Sequence, residues 1–420
     1  MNIFNSKRSS GGHYFAALLY AGFILLIGVS ATRQGLSHYY ADGAFLTGSD
    51  VDATSAIYYQ PENPDAYKVR GLLFLRDKQY ASAAEAFEKA ISLRGTDFLL
   101  WLRLGYSQSK AEHTDAARTA YQNGLALAPN YSQPNYYMGI MLLENGQYEQ
   151  AFGFLSKAAQ YDPGLYPEIL HLARITFPAD PQAIERSIQP ESVEAKKIVA
   201  RYLIKHDFIN DNVMAFLTSD ELAESEKNEF IESFLEKKNF TAAREVWISK
   251  LKTENINGNE TIFDGGLEQI TESDPSGFGW QIDQRASAIS VAIDLAQFHA
   301  GSRSVVIKFA GNVEFGRNLV SQLVQFQPNQ KYRLKFFRRS TELISAGLPS
   351  IVITDGVSKD VLGRSSDLES TGGKWVEAKI EFVTKDAPFA FISLQRSSCN
   401  TSPCPIFGDL SLDDFSVAQN

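Results

Sequence analysis

Two hydrophobic periods divide this chain. From about residue 64 to 252 apolar residues return at helical spacing, and beyond that they alternate with polar ones. The helical stretch contains a register of 34 residues. Tyr67, Trp101 and Asn135 share one position, and Gly71, Gly105 and Gly139 lie four residues on. Ala83, Ala117 and Ala151 follow, then Phe87, Tyr121 and Leu155, then Ala90, Gly124 and Ala158, with Gly95, Pro129 and Pro163 at the closing turns. Small residues where helices cross, large ones where they interlock and a breaker at the turn predict helix-turn-helix units that bury their apolar faces by stacking. Ile198, Tyr202 and Leu203, and later Phe230, Phe234 and Leu235, keep the helical period. Asn239-Phe240 followed by Ala243 and Trp247 mimics Gln79-Tyr80 followed by Ala83 and Phe87. Residues 64–165 therefore read as three clear units, and 166–252 as a cap with degenerate units that extend the array, a separate small bundle being the alternative.

At Lys252 to Thr261 the composition turns to Asn, Gly, Glu and Thr, which predicts a linker over 253–261. Beyond it Val305, Ile307 and Phe309 alternate with Ser304, Val306 and Lys308, and Tyr332, Leu334 and Phe336 with Arg333, Lys335 and Phe337. Val376, Ala378, Ile380 and Phe382 alternate with Glu377, Lys379 and Glu381. Strands with Gly/Pro/Asn turns and no helical segment between them predict an antiparallel β-sandwich over 262–418. The fold class is multidomain, α then β.

Residues Tyr14 to Ala31 carry no charge. As a helix they span roughly 27 Å, enough for a bilayer core. Lys7 and Arg8 precede them and place the N-terminus on the cytoplasmic side, against a weaker opposing signal from Arg33. A cleaved signal peptide ending near Val29-Ser30-Ala31 is the competing reading; the length of the apolar run favours an anchor over residues 1–35. Both readings put the bulk of the chain outside the cytoplasm, in a bacterial cell the periplasmic side of the inner membrane. Residues 36–63, with Gly, Ser, Asp and Pro and the pairs Tyr39-Tyr40 and Tyr58-Tyr59, read as a tether.

The 420 residues are 44% hydrophobic, enough for two cores. With 49 acidic against 40 basic residues the balance excludes the basic footprint that nucleic acid requires. Cys399 and Cys404, separated by Asn-Thr-Ser-Pro, are expected to form a disulfide in an oxidising compartment.

The repeat register resembles the tetratricopeptide repeat at most of its signature positions, with Asn135 in place of an aromatic and Gly95 in place of proline. By analogy with such arrays, the concave face is expected to hold a protein partner, with Lys68, Arg103 and Asn135 lining the groove. Tyr67, Trp101 and Ala83 are assigned to packing. The second half runs from Phe263-Asp264-Gly265-Gly266-Leu267-Glu268 through Phe278-Gly279-Trp280, Gly301-Ser302-Arg303-Ser304, Gln322-Leu323-Val324, Pro328-Asn329 and Tyr332-Arg333-Leu334 to Trp375-Val376 and Leu412-Asp413-Asp414-Phe415. In that order it resembles the galactose-binding-like jelly roll of bacterial carbohydrate-binding modules. The resemblance implies a structural calcium on Glu268 and Asp414, the one metal expected; no other cofactor is. It also implies a polysaccharide ligand, for which Trp280 and Trp375 supply stacking faces and Gln322 and Tyr332 polar contacts. By alternation Trp375 shares the face of Glu377 and Lys379 and points outward, whereas Trp280 competes with a core role. The strip of Lys331, Arg333, Lys335 and Arg339 beside Phe337 offers an acidic glycan a cationic surface, or is a solvated sheet face.

Among the six histidines none has zinc-ligand spacing, and no phosphate loop, nucleophile elbow or dinucleotide fingerprint is present. The expectation is a non-enzymatic, membrane-anchored scaffold in exopolysaccharide or envelope assembly. A pure protein adaptor with a structural sandwich is the alternative, and a polysaccharide-modifying enzyme a remote one.

Overall fold

The computed structural model describes residues 10–178, 180–251, 262–269, 274, 276–283, 288–399 and 402–420. Lys7, Arg8 and the linker expected over 253–261 lie outside these residues. The chain divides into two compact units, Met1–His206 and Asp207–Asn420.

The first unit is helical. Helix α1 (Ser10–Thr47) runs 38 residues without a break. Its apolar part, from Phe15 to Val29, is exposed all round, while Ser37, Ala41 and Ala44 further along are buried. They face α2 (Asp50–Tyr59), whose Ala53 and Ala56 are buried in turn. The expected tether at 36–63 is thus a helical hairpin, for a steric reason. Its small residues sit where two helices cross, and Gly48, Ser49 and Pro61 lie at the two turns. Ser49 caps α2 by accepting the Asp52 N–H.

Three repeats follow: α3 (Pro64–Arg76) with α4 (Tyr80–Leu93), α5 (Phe98–Lys110) with α6 (Thr114–Leu127), and α7 (Ser132–Glu144) with α8 (Tyr148–Tyr161). A Cβ built on Gly71, Gly105 or Gly139 would come within 2.7, 2.6 and 2.6 Å of Phe87, Tyr121 and Leu155 respectively. Only glycine allows that approach, which explains the register. Each turn places one residue in the left-handed region: Lys78 (φ 58), Glu112 (φ 64) and Gly146 (φ 73). The next N–H returns to a carbonyl five residues back, Gln79 N to Phe74 O at 2.8 Å for example, closing a Schellman cap. Helices α9 (Tyr166–Thr176), α10 (Pro181–Ser187) and α11 (Val193–Lys205) complete the unit.

The second unit opens with α12 (Asp211–Thr218), α13 (Glu224–Glu236) and α14 (Phe240–Ile248). The expectation that 166–252 extends the array as one piece is corrected here: α12–α14 belong to the same unit as the sandwich. Phe240 packs on Phe389 at 5.6 Å and Trp247 on Phe278 at 5.7 Å, between ring centroids.

The sandwich has two five-stranded antiparallel sheets. One orders β1 (Gln281–Ile282), β4 (Val320–Gln325), β9 (Phe389–Arg396), β6 (Pro349–Asp355) and β7 (Val361–Arg364). The other orders β2 (Ile289–Asp294), β3 (Ser304–Gly311), β10 (Ile406–Gln419), β5 (Lys331–Ile344) and β8 (Val376–Val383). Val305, Ile307, Leu334, Phe336, Ile353, Ile380, Ile392 and Leu412 fill the space between them. Their alternation with exposed partners along β3, β5 and β8 is the period-2 pattern of the sequence.

Candidate interaction groove and sandwich surfaces

In the array a groove of about 210 Å³ is lined by Leu75, Leu99, Leu102, Arg103, Tyr106, Gln133 and Tyr137. All belong to the first helices α3, α5 and α7, because stacking hides the second helices' large residues. Leu99 and Tyr106 are 40% and 37% exposed. The Lys110 ammonium lies 5.7 Å from the Tyr106 ring centroid, and Tyr137 stacks on buried Tyr121 at 5.9 Å. The groove therefore combines three leucines, two tyrosines with polar tips, an amide and a guanidinium. That combination suits an extended peptide with apolar and acidic side chains.

Of the three residues expected there, Arg103 lines the groove and two do not. Lys68 pairs with Asp65 at 3.0 Å, and Asp65 also receives Arg94 at 2.8 Å, which holds its carboxyl below the ordinary range. Asn135 is fully buried and donates to Pro129 O at 3.0 Å and Tyr131 O at 2.8 Å. It does for its turn what Trp101 does one repeat earlier, where Nε1 donates to Gly95 O at 2.8 Å. Both roles require a donor at that position, and an amide or an indole supplies it. The groove residues missed by sequence reasoning carry a signal. Leu99 and Gln133 are one register apart, as are Arg103 and Tyr137; Lys68 shares the register of groove-lining Leu102, and Asn135 that of Trp101.

On the sandwich, three of the expected glycan contacts are interior. Trp280 is 3% exposed, packs on Phe415 and donates from Nε1 to Asp264 O at 2.9 Å. Gln322 is buried, bridging Phe263 N at 3.2 Å and Phe263 O at 2.8 Å. Tyr332 is buried against Phe326 and Phe382, its hydroxyl accepting the Gln327 N–H. Tyr332 faces inward by the alternation that sends Lys331 and Arg333 out, whereas the neighbours of Gln322 are themselves buried and Trp280 precedes the first strand. Trp375 is half-buried at the edge of the β5–β8 face, 6.1 Å from His299, which stacks on Phe337 at 3.5 Å. The cationic strip is partly compensated by β8. Lys331 and Arg333 both reach Glu381, at 3.0 and 2.8 Å, and Lys335 approaches Glu377, which also takes Lys379, at 3.8 Å. Exposed pairs of this kind add little stability and weaken, without cancelling, the field an acidic glycan would follow.

The calcium expectation meets an unfavourable donor set. Glu268 accepts Ser302 N at 2.8 Å, Ser302 Oγ at 2.6 Å and Arg303 N at 3.3 Å, and Asp414 accepts His299 Nδ1. Fully buried Asp413 accepts the N–H groups of His299 and Asp414, both at 2.7 Å, and burial raises its pKa. Among the described residues no group of three or more His, Cys, Asp or Glu is placed to hold a metal. Calcium takes six to eight oxygens, and these carboxylates already face hydrogen-bond donors, so the residues do not fit it as arranged.

A cleft of about 260 Å³ between α14 and the sandwich includes Trp247, Phe263, Asp264 and Asp274. Its acids are structural: Asp274 accepts Trp247 Nε1 at 2.8 Å and Gly279 N at 2.8 Å, and Asp264 accepts the Glu268 and Gln269 N–H groups. Burial pushes the Asp264 carboxyl up to about 6. Cys399 and Cys404 form a disulfide, and fully buried Arg396 donates to Cys404 O, Gly347 O and Val313 O.

Residues 52–97 and 102–166 match the tetratricopeptide-repeat family, so the helical register is that of tetratricopeptide repeats. The Candida albicans peroxisomal targeting signal receptor is 31% identical over 81 residues, 19% of this chain and 14% of the receptor. The chain thus spans a small part of the curated relatives it matches. Among solved structures, Pseudomonas aeruginosa pilF is 14% identical over 48% of this chain and 96% of its own, with a TM-score of 0.33. The xylan-binding domain CBM22-1 of Paenibacillus barcinonensis Xyn10C is 14% identical over 35% of this chain and 88% of its own, with a TM-score of 0.25. The strand pairing itself establishes the sandwich.

Proposed function

We propose that this chain is a non-enzymatic scaffold whose repeat groove holds an extended segment of a partner protein. A single observation carries this reading: successive first helices present Leu99, Arg103, Tyr106 and Tyr137 to one open groove. Stacked repeats create such concave surfaces by construction. Helix α1 supports an anchored placement. From Phe15 to Thr47 it is long and apolar enough to cross a membrane, with a window of mean hydropathy 2.1 and no burial. We place the array on the periplasmic side of a bacterial inner membrane, in exopolysaccharide or envelope assembly.

A photoreactive residue introduced at Tyr106 of the full-length protein tests the groove. Adducts with one partner are expected from Tyr106, lost with Arg103→Glu, and absent from the same probe at Leu127, exposed on a second helix. Equal labelling from both positions counts against the reading.

A second reading gives the sandwich a glycan, on the strength of Trp375 beside the His299–Phe337 stack. Affinity electrophoresis of the full chain in neutral and acidic polysaccharides tests it. Retardation lost with Trp375→Ala supports a glycan site; no retardation leaves the sandwich a structural partner of α12–α14.

A further inference from the structure

Helix α1 does not stop where its apolar stretch ends. It continues unbroken into the hairpin with α2, and the antiparallel α2 brings its C-terminus back to Arg33. The Arg33 guanidinium donates from Nε to Tyr59 O at 3.0 Å and from Nη2 to Tyr58 O at 3.4 Å, capping the end of α2 with a cation. These contacts fix Tyr58 and Tyr59 at the level of Arg33, two residues past the uncharged run. Tyr59 is half-buried and stacks on Tyr40 at 5.5 Å with an interplanar angle of 5°. Tyr58 meets Tyr59 edge-on at 5.5 Å and is itself 73% exposed. Lower down the helix Phe15, Leu18, Leu19, Phe23, Ile24, Leu25 and Leu26 are all more than half exposed.

Resting on the reading of α1 as a membrane span, we propose that Arg33, Tyr58 and Tyr59 form an interfacial collar seated among lipid headgroups. The collar holds the first hairpin, and with it the array, directly on the bilayer. The headgroup zone is roughly 5–8 Å thick on each side of the hydrocarbon core. Tyrosine rings favour that zone, with the ring toward the chains and the hydroxyl toward water, and a guanidinium there meets phosphate. Tyr39 lies about 9 Å further along α1, which sets it above the zone. The collar thus takes its two tyrosines from a second helix, and no window of α1 alone contains it. Mechanically, the membrane segment and the first helix of the hairpin are one continuous rod, braced at the water boundary by the Arg33–Tyr59–Tyr40 contacts.

The test places tryptophan at three exposed positions of the full-length protein, Phe23→Trp, Tyr58→Trp and Leu127→Trp, each compared with the parent in phosphatidylcholine–phosphatidylglycerol vesicles. The lipids carry bromine either near the headgroup or near the bilayer centre. The expected result is that the fluorescence added at position 23 is quenched by centre-brominated lipid, that at 58 by headgroup-proximal bromine, and that at 127 by neither. Quenching at 23 with none at 58, or quenching at 58 from the bilayer centre, overturns the collar and leaves the anchor standing. No quenching at 23 removes the membrane span and the collar with it.

Discussion

The α13–α14 hairpin and the three repeats share a turn and differ at their crossing positions, where Lys227, Ile231 and Lys250 stand in the register of Tyr67, Gly71 and Ala90. Lys238 (φ 58) occupies the place of Lys78, Glu112 and Gly146, and the Asn239 N–H returns to Phe234 O at 2.9 Å just as Gln79 returns to Phe74. Counting from that turn, Ala243 matches Ala83 and Trp247 matches Phe87, but Ile231 stands where Gly71, Gly105 and Gly139 stand. In the repeats glycine lets the large residue of the second helix lie on the first helix's backbone. Ile231, 1% exposed, fills that space. Trp247 turns outward to Phe263, Phe278 and Asp274, and the hairpin joins the sandwich unit. A capping turn thus fixes the shape of a repeat hairpin, while the side chains at its crossing positions bear on what it packs against.

The largest effects should come from removing the two large residues. Trp247→Ala and Tyr121→Ala are each expected to cost about 4 kcal/mol, read as shifts of the urea midpoint. The first should lower the stability of the sandwich unit and the second only that of the array; equal effects of both on one transition would break the comparison. Exchanging the crossing residues comes next. Gly105→Ile should destabilise by about 3 kcal/mol through overpacking, and Ile231→Gly by about 3 kcal/mol through a cavity and lost helix propensity. A neutral Gly105→Ile would show that the close approach is not required. Within the array, Asn135→Ala should cost about 2 kcal/mol by orphaning two turn carbonyls, and Trp101→Phe about 1 kcal/mol by orphaning one.

One carboxyl in each unit should also answer acid with opposite sign. Asp65, lowered chiefly by its hydrogen bond from Arg94, adds stability above its unfolded value of 3.8 that is lost as pH falls through its lower folded value. Asp264, raised to about 6 by burial, holds its proton in the folded state after the unfolded chain has released it. Its contribution therefore declines as pH rises from about 4 to 6. Carboxyl NMR should place the Asp264 midpoint near 6, and Asp264→Asn should flatten that part of the melting-temperature profile. The smallest effect is expected from chelation. With Glu268 and Asp414 already accepting from Ser302, Arg303 and His299, a chelator should leave the melting temperature unchanged; a drop would restore the calcium site.

Periodicity made most of the architecture legible. The 34-residue register marked all three repeats, and alternation marked β3, β5 and β8. Arg103 was found because it faces the groove in a repeat whose geometry the register implies. Lys68 and Asn135 were not distinguishable from it, since an ion pair to Asp65 and a turn bond to Pro129 depend on partners elsewhere in the fold. Residues 36–63 read as a tether because their crossing points are alanine and serine, which give a weak hydrophobic signal.

By itself, then, the sequence determined the local geometry: helix against strand, the capped turns, the glycine crossings, the uncharged span and the Cys399–Cys404 pair. These depend on backbone preference and on neighbours within a few positions along the chain. Tertiary structure alone decided that Trp280, Gln322 and Tyr332 are interior, that Glu377 and Glu381 pair with three cations of the strip, and that α12–α14 serve the sandwich rather than the array. Those outcomes turn on which surfaces meet across long separations, and the volume of a residue such as Ile231 sets that meeting without altering the pattern around it.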